Sequence, residues 1–261
     1  MADVAGQGVE RAAPVGPEAM AEMLATRSAE ILDVLRFQAL GPDRIIDFAC
    51  FGEPVRLYLP YALRDLIQKT VLQTGGFYEG RLLERVAGLV PRGGVVLDAG
   101  ANIGNHTVFF ALICRAGLVH AFEPVPAMHA VLLRNLEING LRNVVPHRAA
   151  LGAAAGRAGL QVFRPNNMGS AVMDFGGGDF PVTTIDALEL GRLDLLKIDV
   201  EGAQTAVLAG AEATLARCRP RIMIELRART GEVEAGNEVL SRMGYRMTTQ
   251  LSRHDYIYEP A

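Results

Sequence analysis

The stretch GVVLDAGANIG, residues 94–104, decides how the rest of the chain is read. A short apolar run, Val95 to Leu97, meets the acid Asp98, and glycines follow at 100 and 104. Beyond them, NHTVFFALICRAG (105–117) has helical character and closes on a glycine. Strand, glycine turn and helix form the repeating unit of parallel sheets. Gly100 permits a sharp turn and leaves space for a ligand beside the backbone, and Gly104 lets the next helix pack closely. The spacing Asp98-x-Gly100-x-x-x-Gly104 is not the G-x-G-x-x-G dinucleotide fingerprint. An acid stands where that pattern begins, and it suits a ligand with a cationic amino-acid end better than a pyrophosphate.

The same alternation continues downstream. LVHAFEP (118–124) is a strand, AMHAVLLRNLEING (127–140) a helix ending in Asn-Gly, and NVVPHRAAL (143–151) a third strand. LDLLKIDVEG (193–202) and PRIMIEL (220–226) are further strands, each followed by a helical pattern. Strands alternating with helices predict an α/β fold whose parallel sheet is covered on both faces. One insertion, about 152–193, interrupts the pattern with GLQVFRP, NNMGSAVMDF, GGGD and PVTTIDAL, which read as short strands and turns. It leaves from the rim where open sheets bind ligands. It is therefore either a surface hairpin or a wall of the site.

Upstream, residues 1–90 form an N-terminal α+β extension to a main domain at 91–261. The Ala/Gly/Pro-rich start is expected to be mobile. From Pro17, a first-helical-position residue, the apolar residues Met20, Met23, Leu24, Ile31, Val34 and Leu35 recur at helical spacing. RIIDFACF and VRLYLP flank GEP as a hairpin. LRDLIQKTVL and RLLERVAGLV are helical, separated by TGGFYEG.

Composition narrows the function. Hydrophobic residues make up 50% of the 261 and charged residues 21%, enough for a sizeable core. A net charge of -3 offers no basic field to steer nucleic acid. Three widely spaced cysteines suit neither a disulfide framework nor a zinc site, and fit reduced thiols in the cytoplasm. No apolar stretch reaches the roughly 20 residues of a membrane span.

Glu123, closing the strand after the glycine turn, stands where a carboxylate accepts both hydroxyls of a ribose. Together with Asp98 it points to a nucleoside ligand with a cationic end, and these features fit S-adenosylmethionine. Its ribose would meet Glu123 and its adenine the apolar residues near Phe122 and Ala150. Its methionine end would approach Asp98 through Asn102, with Ala101 in the same turn. In LLKIDVEGAQ (195–204), Lys197, Asp199 and Glu201 would share one strand face. Asp199 and Glu201, with Glu225 from the next strand, are the candidate catalytic acids. They could take a proton from an acceptor hydroxyl or hold Mg²⁺, which prefers oxygen ligands; spacing does not choose. Lys197 is expected to pair with a carboxylate. Tyr78 and Glu79 could fold over the cofactor's methionine end. His106, Asn166, Asn167 and Ser170 are candidate substrate contacts.

At this point the sequence resembles the FkbM-type methyltransferases. VVLDAGANIGNHTVFFA, AFEP, LEINGLRNV, VTTID, DLLKIDVEGAQTAVLAGA and RPRIMIE carry the likeness, in that family's order. The resemblance implies a seven-stranded, mostly parallel, Rossmann-like methyltransferase sheet with helices on both faces. It places the first and fourth strands side by side and the fifth beside the fourth. It also implies methyl transfer from S-adenosylmethionine to a hydroxyl of a small molecule or glycan. Gln204 departs from the family, which usually has a glutamate there. Two other readings stay open: a catalytically silent binding or assembly protein of the same fold, and an NAD-dependent oxidoreductase, which the missing fingerprint disfavours.

Overall fold

The computed structural model describes residues 16–164 and 167–261, without side chains at 17 and 162–171. Residues 1–15, expected to be mobile, lie outside the described residues. In chain order the elements are α1 (Pro17–Ala39), β1 (Ile45–Cys50), β2 (Glu53–Tyr58), α2 (Leu66–Thr74), α3 (Gly80–Val86), β3 (Val95–Ala99) and α4 (Asn105–Val108). Then come β4 (Leu118–Phe122), α5 (Pro126–Ile138), β5 (Val144–His147), β6 (Ala150–Leu151), β7 (Gly156–Arg164), β8 (Asn167–Phe175) and β9 (Phe180–Thr183). The last are β10 (Leu195–Ile198), α6 (Gln204–Ala209), α7 (Glu212–Cys218), β11 (Arg221–Glu225), α8 (Glu232–Arg242), β12 (Tyr245–Gln250) and β13 (Asp255–Pro260).

Seven strands form the central sheet, in the order β12-β13-β11-β10-β3-β4-β5. All pairs are parallel except the two made by β13. The strand carrying KID therefore lies between the glycine-turn strand and β11, as expected. Alternation sends residues to two cores. Val96, Val119, Leu195, Met223 and Ile257 pack on the face covered by α4, α5 and the N-terminal segment. Leu97, Phe122, Leu196, Ile224 and Tyr258 pack on the face covered by α6, α7 and α8. Both faces are buried, which is why Leu195–Ile198 lacks any exposed residue.

The N-terminal segment is bound into the first core. Val55, Leu57, Leu59, Val71, Phe77, Leu83 and Val86 are all buried there. Each such side chain contributes roughly 1.5–3 kcal/mol on burial, so the segment packs as part of the sheet domain. Its helix α1 is attached through Phe37, which packs on that core, and through Asp33, which accepts from Gln73 Nε2 at 2.8 Å and pairs with Lys69 at 3.2 Å. The apolar residues read at helical spacing, such as Leu24 and Ile31, remain exposed.

Two expectations change. NVVPHRAAL is not one strand: β5 stays at the sheet edge, and β6 leaves it to pair with β9. The insertion then forms a second, four-stranded sheet in the order β6-β9-β7-β8. The KIDVE strand also ends early, at Ile198. Glu201 lies in the following turn at φ +46°, so period-two alternation does not set its direction.

Candidate active site

The carboxyl ends of β3, β4, β10 and β11 meet at one rim. Gly100 turns there at φ +82°, and a Cβ on it would lie 1.8 Å from the Asp199 carbonyl oxygen. Only glycine lets the two strand ends approach this closely. The room expected beside Gly100 is thus partly taken by Asp199. At Gly104 a Cβ would lie 2.5 Å from Leu132 Cδ1, so this glycine serves the packing of α5.

Two joined cavities open at the rim. The first, about 50 Å³, is an apolar slot between Phe122, Val125, Ala150, Leu151, Met173 and Phe175. The second, about 250 Å³, is a polar chamber reached by Tyr78, Glu79, Ala101, Asn102, His106 and Lys197. Gly100, Glu123, Asp199 and Glu201 line both. The insertion does wall the site, through Met173 and Phe175. Asn166 lies outside the described residues, as do the side chains of Asn167 and Ser170.

Glu123 stands at the junction. Its carboxylate accepts the backbone N–H of Asn102 at 2.9 Å and of Val125 at 2.8 Å. Burial pushes its pKa up to about 7, against the pull of these two N–H groups. Asn102, at φ +50°, carries a buried side-chain carbonyl oxygen that has no hydrogen-bond partner.

Asp98 lines neither cavity. It is fully buried, paired with Lys197 Nζ at 3.0 Å, and accepts from Thr107 Oγ1 at 2.6 Å. Asp98 and Lys197 are cross-strand neighbours in register. Lys197 also donates to the Gly100 carbonyl at 3.0 Å and lies 3.5 Å from Asp199. Burial alone would push the ammonium's pKa down, but Asp98 and Asp199 outweigh it and raise it. Asp98 therefore reaches the chamber only through Lys197.

Asp199, Glu201 and Glu225 do converge: one carboxylate oxygen of each lies within 4.8 Å of the others. Among the described residues this is the one group of acids, histidines or cysteines close enough to hold a metal ion. Arg227 already pairs with Glu201 at 2.8 Å and with Glu225 at 3.5 Å. Burial, and then the neighbouring Asp199, push Glu225 up to about 8. Burial also acts to raise Asp199, but Lys197 outweighs it and keeps the carboxyl below its ordinary value. The two carboxyls lie close enough that each acts on the other, Asp199 raising Glu225 and Glu225 helping to lower Asp199. A proton held by this pair is therefore favoured on Glu225 over Asp199.

The 77–79 segment forms another wall. His106 Nε2 lies 3.4 Å from Glu79, and both line the chamber beside Tyr78. Sequence reasoning missed Asn105, Arg227 and Asp255, which also line it. Asn105 opens α4 directly after Gly104. Asp255 arrives on a distant antiparallel strand. Gln204 is buried and donates to the Glu225 carbonyl at 3.2 Å and to Glu232 at 3.4 Å. A glutamate there would place like charges together.

Residues 98–258 match the family described as Methyltransferase FkbM domain. The chain is 24% identical to Methyltransferase 1 of Beauveria bassiana (strain ARSEF 2860) over 188 residues, covering 61% of this chain and 75% of that protein. It is 30% identical to Methyltransferase sdnD of Sordaria araneosa over 162 residues, covering 47% of this chain and 62% of that protein. It is also similar to a crystal structure of methyltransferase FkbM from Methylobacillus flagellatus KT, at 16% identity and a TM-score of 0.47, over 88% of this chain and 59% of that one. The family match runs from the acid of the glycine turn to the last strand of the sheet, and by it this chain belongs to the FkbM methyltransferase family.

Proposed function

We propose that the chain is an S-adenosylmethionine-dependent O-methyltransferase acting on a hydroxyl of a small molecule or glycan. The observation carrying this reading is the apolar slot joined to a polar chamber, with Glu123 at the junction. An adenine fits the slot's chemistry, and ribose hydroxyls can donate to Glu123. The unpartnered carbonyl oxygen of Asn102 suits an ammonium donor. Bound there, the cofactor supplies a methyl group already activated on a sulfonium. The protein's remaining work is alignment, worth roughly 7–11 kcal/mol in favourable systems, and removal of the acceptor's proton. In this reading Asp199, whose carboxyl is kept below its ordinary pKa by Lys197, takes that proton, with Glu225 and Glu201 beside it. Mg²⁺ on the same three acids is the other way to acidify a hydroxyl; chelator followed by added magnesium distinguishes them.

In this reading residues 1–90 are an extension that completes the chamber, and 91–261 hold the catalytic apparatus. The chamber's carboxylates disfavour a polyphosphate acceptor, and the three free cysteines fit a reducing cytoplasm. The test is transfer of a labelled methyl group to a panel of hydroxylated metabolites and glycans, with an RNA as control. Labelling of a hydroxyl supports the proposal. S-adenosylhomocysteine (SAH) binding without transfer to any acceptor favours the catalytically silent reading. Stabilisation by NAD but not by SAH revives the oxidoreductase.

Glu123 gives a pH test. Its folded pKa is raised, so the unfolded chain ionises first as pH climbs. Stability is then lost between pH 4.5 and about 7, amounting to roughly 3 kcal/mol at 1.36 kcal/mol per unit, and stays flat beyond. Glu123→Gln should remove that component of the stability profile. A ribose needs the ionised acceptor, so SAH should bind about tenfold more tightly at pH 8 than at pH 6. Calorimetric titration reads this directly, and a flat profile or tighter binding at pH 6 contradicts the ribose role.

A further inference from the structure

We propose that Asn105 is a positioning residue that holds Tyr78 and Glu79 against the methyl-donor end of the chamber. The inference rests on the cofactor reading above. Asn105 is 3% exposed. Its Oδ1 accepts from the Tyr78 backbone N–H at 2.9 Å, and its Nδ2 donates to the Tyr78 carbonyl at 3.0 Å. One side chain thus satisfies both backbone groups of one residue, as a strand partner would. That fixes the residue's position and the orientation of its peptide planes.

The grip extends along the same helical turn. His106 Nε2 lies 3.4 Å from Glu79, and the Phe109 ring meets Phe77 edge-on with centroids 5.5 Å apart. Residues 105 and 109 therefore hold 78 and 77, with the His106 ring beside Glu79. Glu79 sits at φ +57°, a conformation unusual for a side-chain-bearing residue, so its surroundings must hold it there. Thr107, on the same turn, holds Asp98, the partner of Lys197. The turn that follows Gly104 thus fixes both the charged rim and the wall facing it. Asparagine alone among the residues of this size and shape supplies both bonds. Aspartate keeps the accepting one and loses the donating one, and alanine loses both.

The experiment compares Asn105→Ala and the isosteric Asn105→Asp with the natural protein. Hydrogen exchange at residues 77–80, SAH affinity and thermal midpoint are read together. Exchange at 77–80 should quicken in both variants, and SAH affinity should fall at least tenfold in the alanine variant and less in the aspartate one. Where an acceptor is known, KM for S-adenosylmethionine should rise alongside. Should Asn105→Ala not fold, the aspartate variant carries the same readings. Faster exchange with unchanged SAH affinity would show a merely structural clamp and overturn the proposal, as would unchanged exchange. Failure of the natural protein to bind SAH would instead sink the cofactor reading.

Discussion

Asp199→Asn is expected to lower methyl transfer by about 10²–10⁴-fold, the range of a lost general base, while SAH binding persists. Lys197 outweighs burial and keeps the Asp199 carboxyl below its ordinary pKa, while burial and Asp199 raise that of Glu225 to about 8. An amide at 199 can align an acceptor but cannot take its proton. Glu225→Gln should behave differently. At neutral pH Glu225 is already the neutral member, raised to about 8, and an amide N–H can still donate to Asp199. Its rate at pH 7 should stay within a few-fold of the natural protein. Above pH 8 the natural protein loses the proton that glutamine cannot lose, so only it should show a changed rate there. Steady-state rates across pH 6–9 decide the matter. A larger loss from Glu225→Gln than from Asp199→Asn would reverse the assignment.

The second large effect concerns folding. Lys197→Met should destabilise the protein by about 3–5 kcal/mol, because it leaves Asp98 buried beside Asp199 with no counter-charge. Asp98 is fully buried, and its other oxygen is engaged by Thr107. Adding Asp98→Asn to Lys197→Met should recover much of the loss, since paired removal of a buried ion pair is often near neutral. Chemical denaturation of the single and double variants gives the coupling. Equal destabilisation by Lys197→Met in both backgrounds would show that the pair is not what holds the strand ends.

The glycine turn, the alternation of strands and helices and the hairpin were legible in the sequence because each is a local pattern, whereas the strand order was an implication of the family resemblance. Glu123 was legible as a strand-end acid, and the structure puts it where two cavities join. Direction was harder. Asp98 and Lys197 occupy facing positions in register, so they satisfy each other and turn the acid inward. Period-two reasoning carried Glu201 past the end of its strand. It reaches the acid cluster through a left-handed turn, not through alternation. Asn105, Arg227 and Asp255 stayed hidden because their roles depend on which distant backbone each meets. In the sequence Gln204 stood out as a departure from the family's usual glutamate. Its amide bridges the end of β11 to Glu232 on α8, a role suited to a neutral donor.

The place of β13 in the sheet has a kinetic consequence. The strand inserts between β12 and β11, pairing Ile222 with Tyr258 and Glu225 with Asp255. Until it docks, β11 presents an unpaired edge to other chains, and the acids at its end lack the chamber wall that Asp255 supplies. Most of the fold can thus assemble before the site exists. Competence for chemistry therefore requires β13 to dock, and while that edge of β11 is open a nascent molecule is exposed to aggregation.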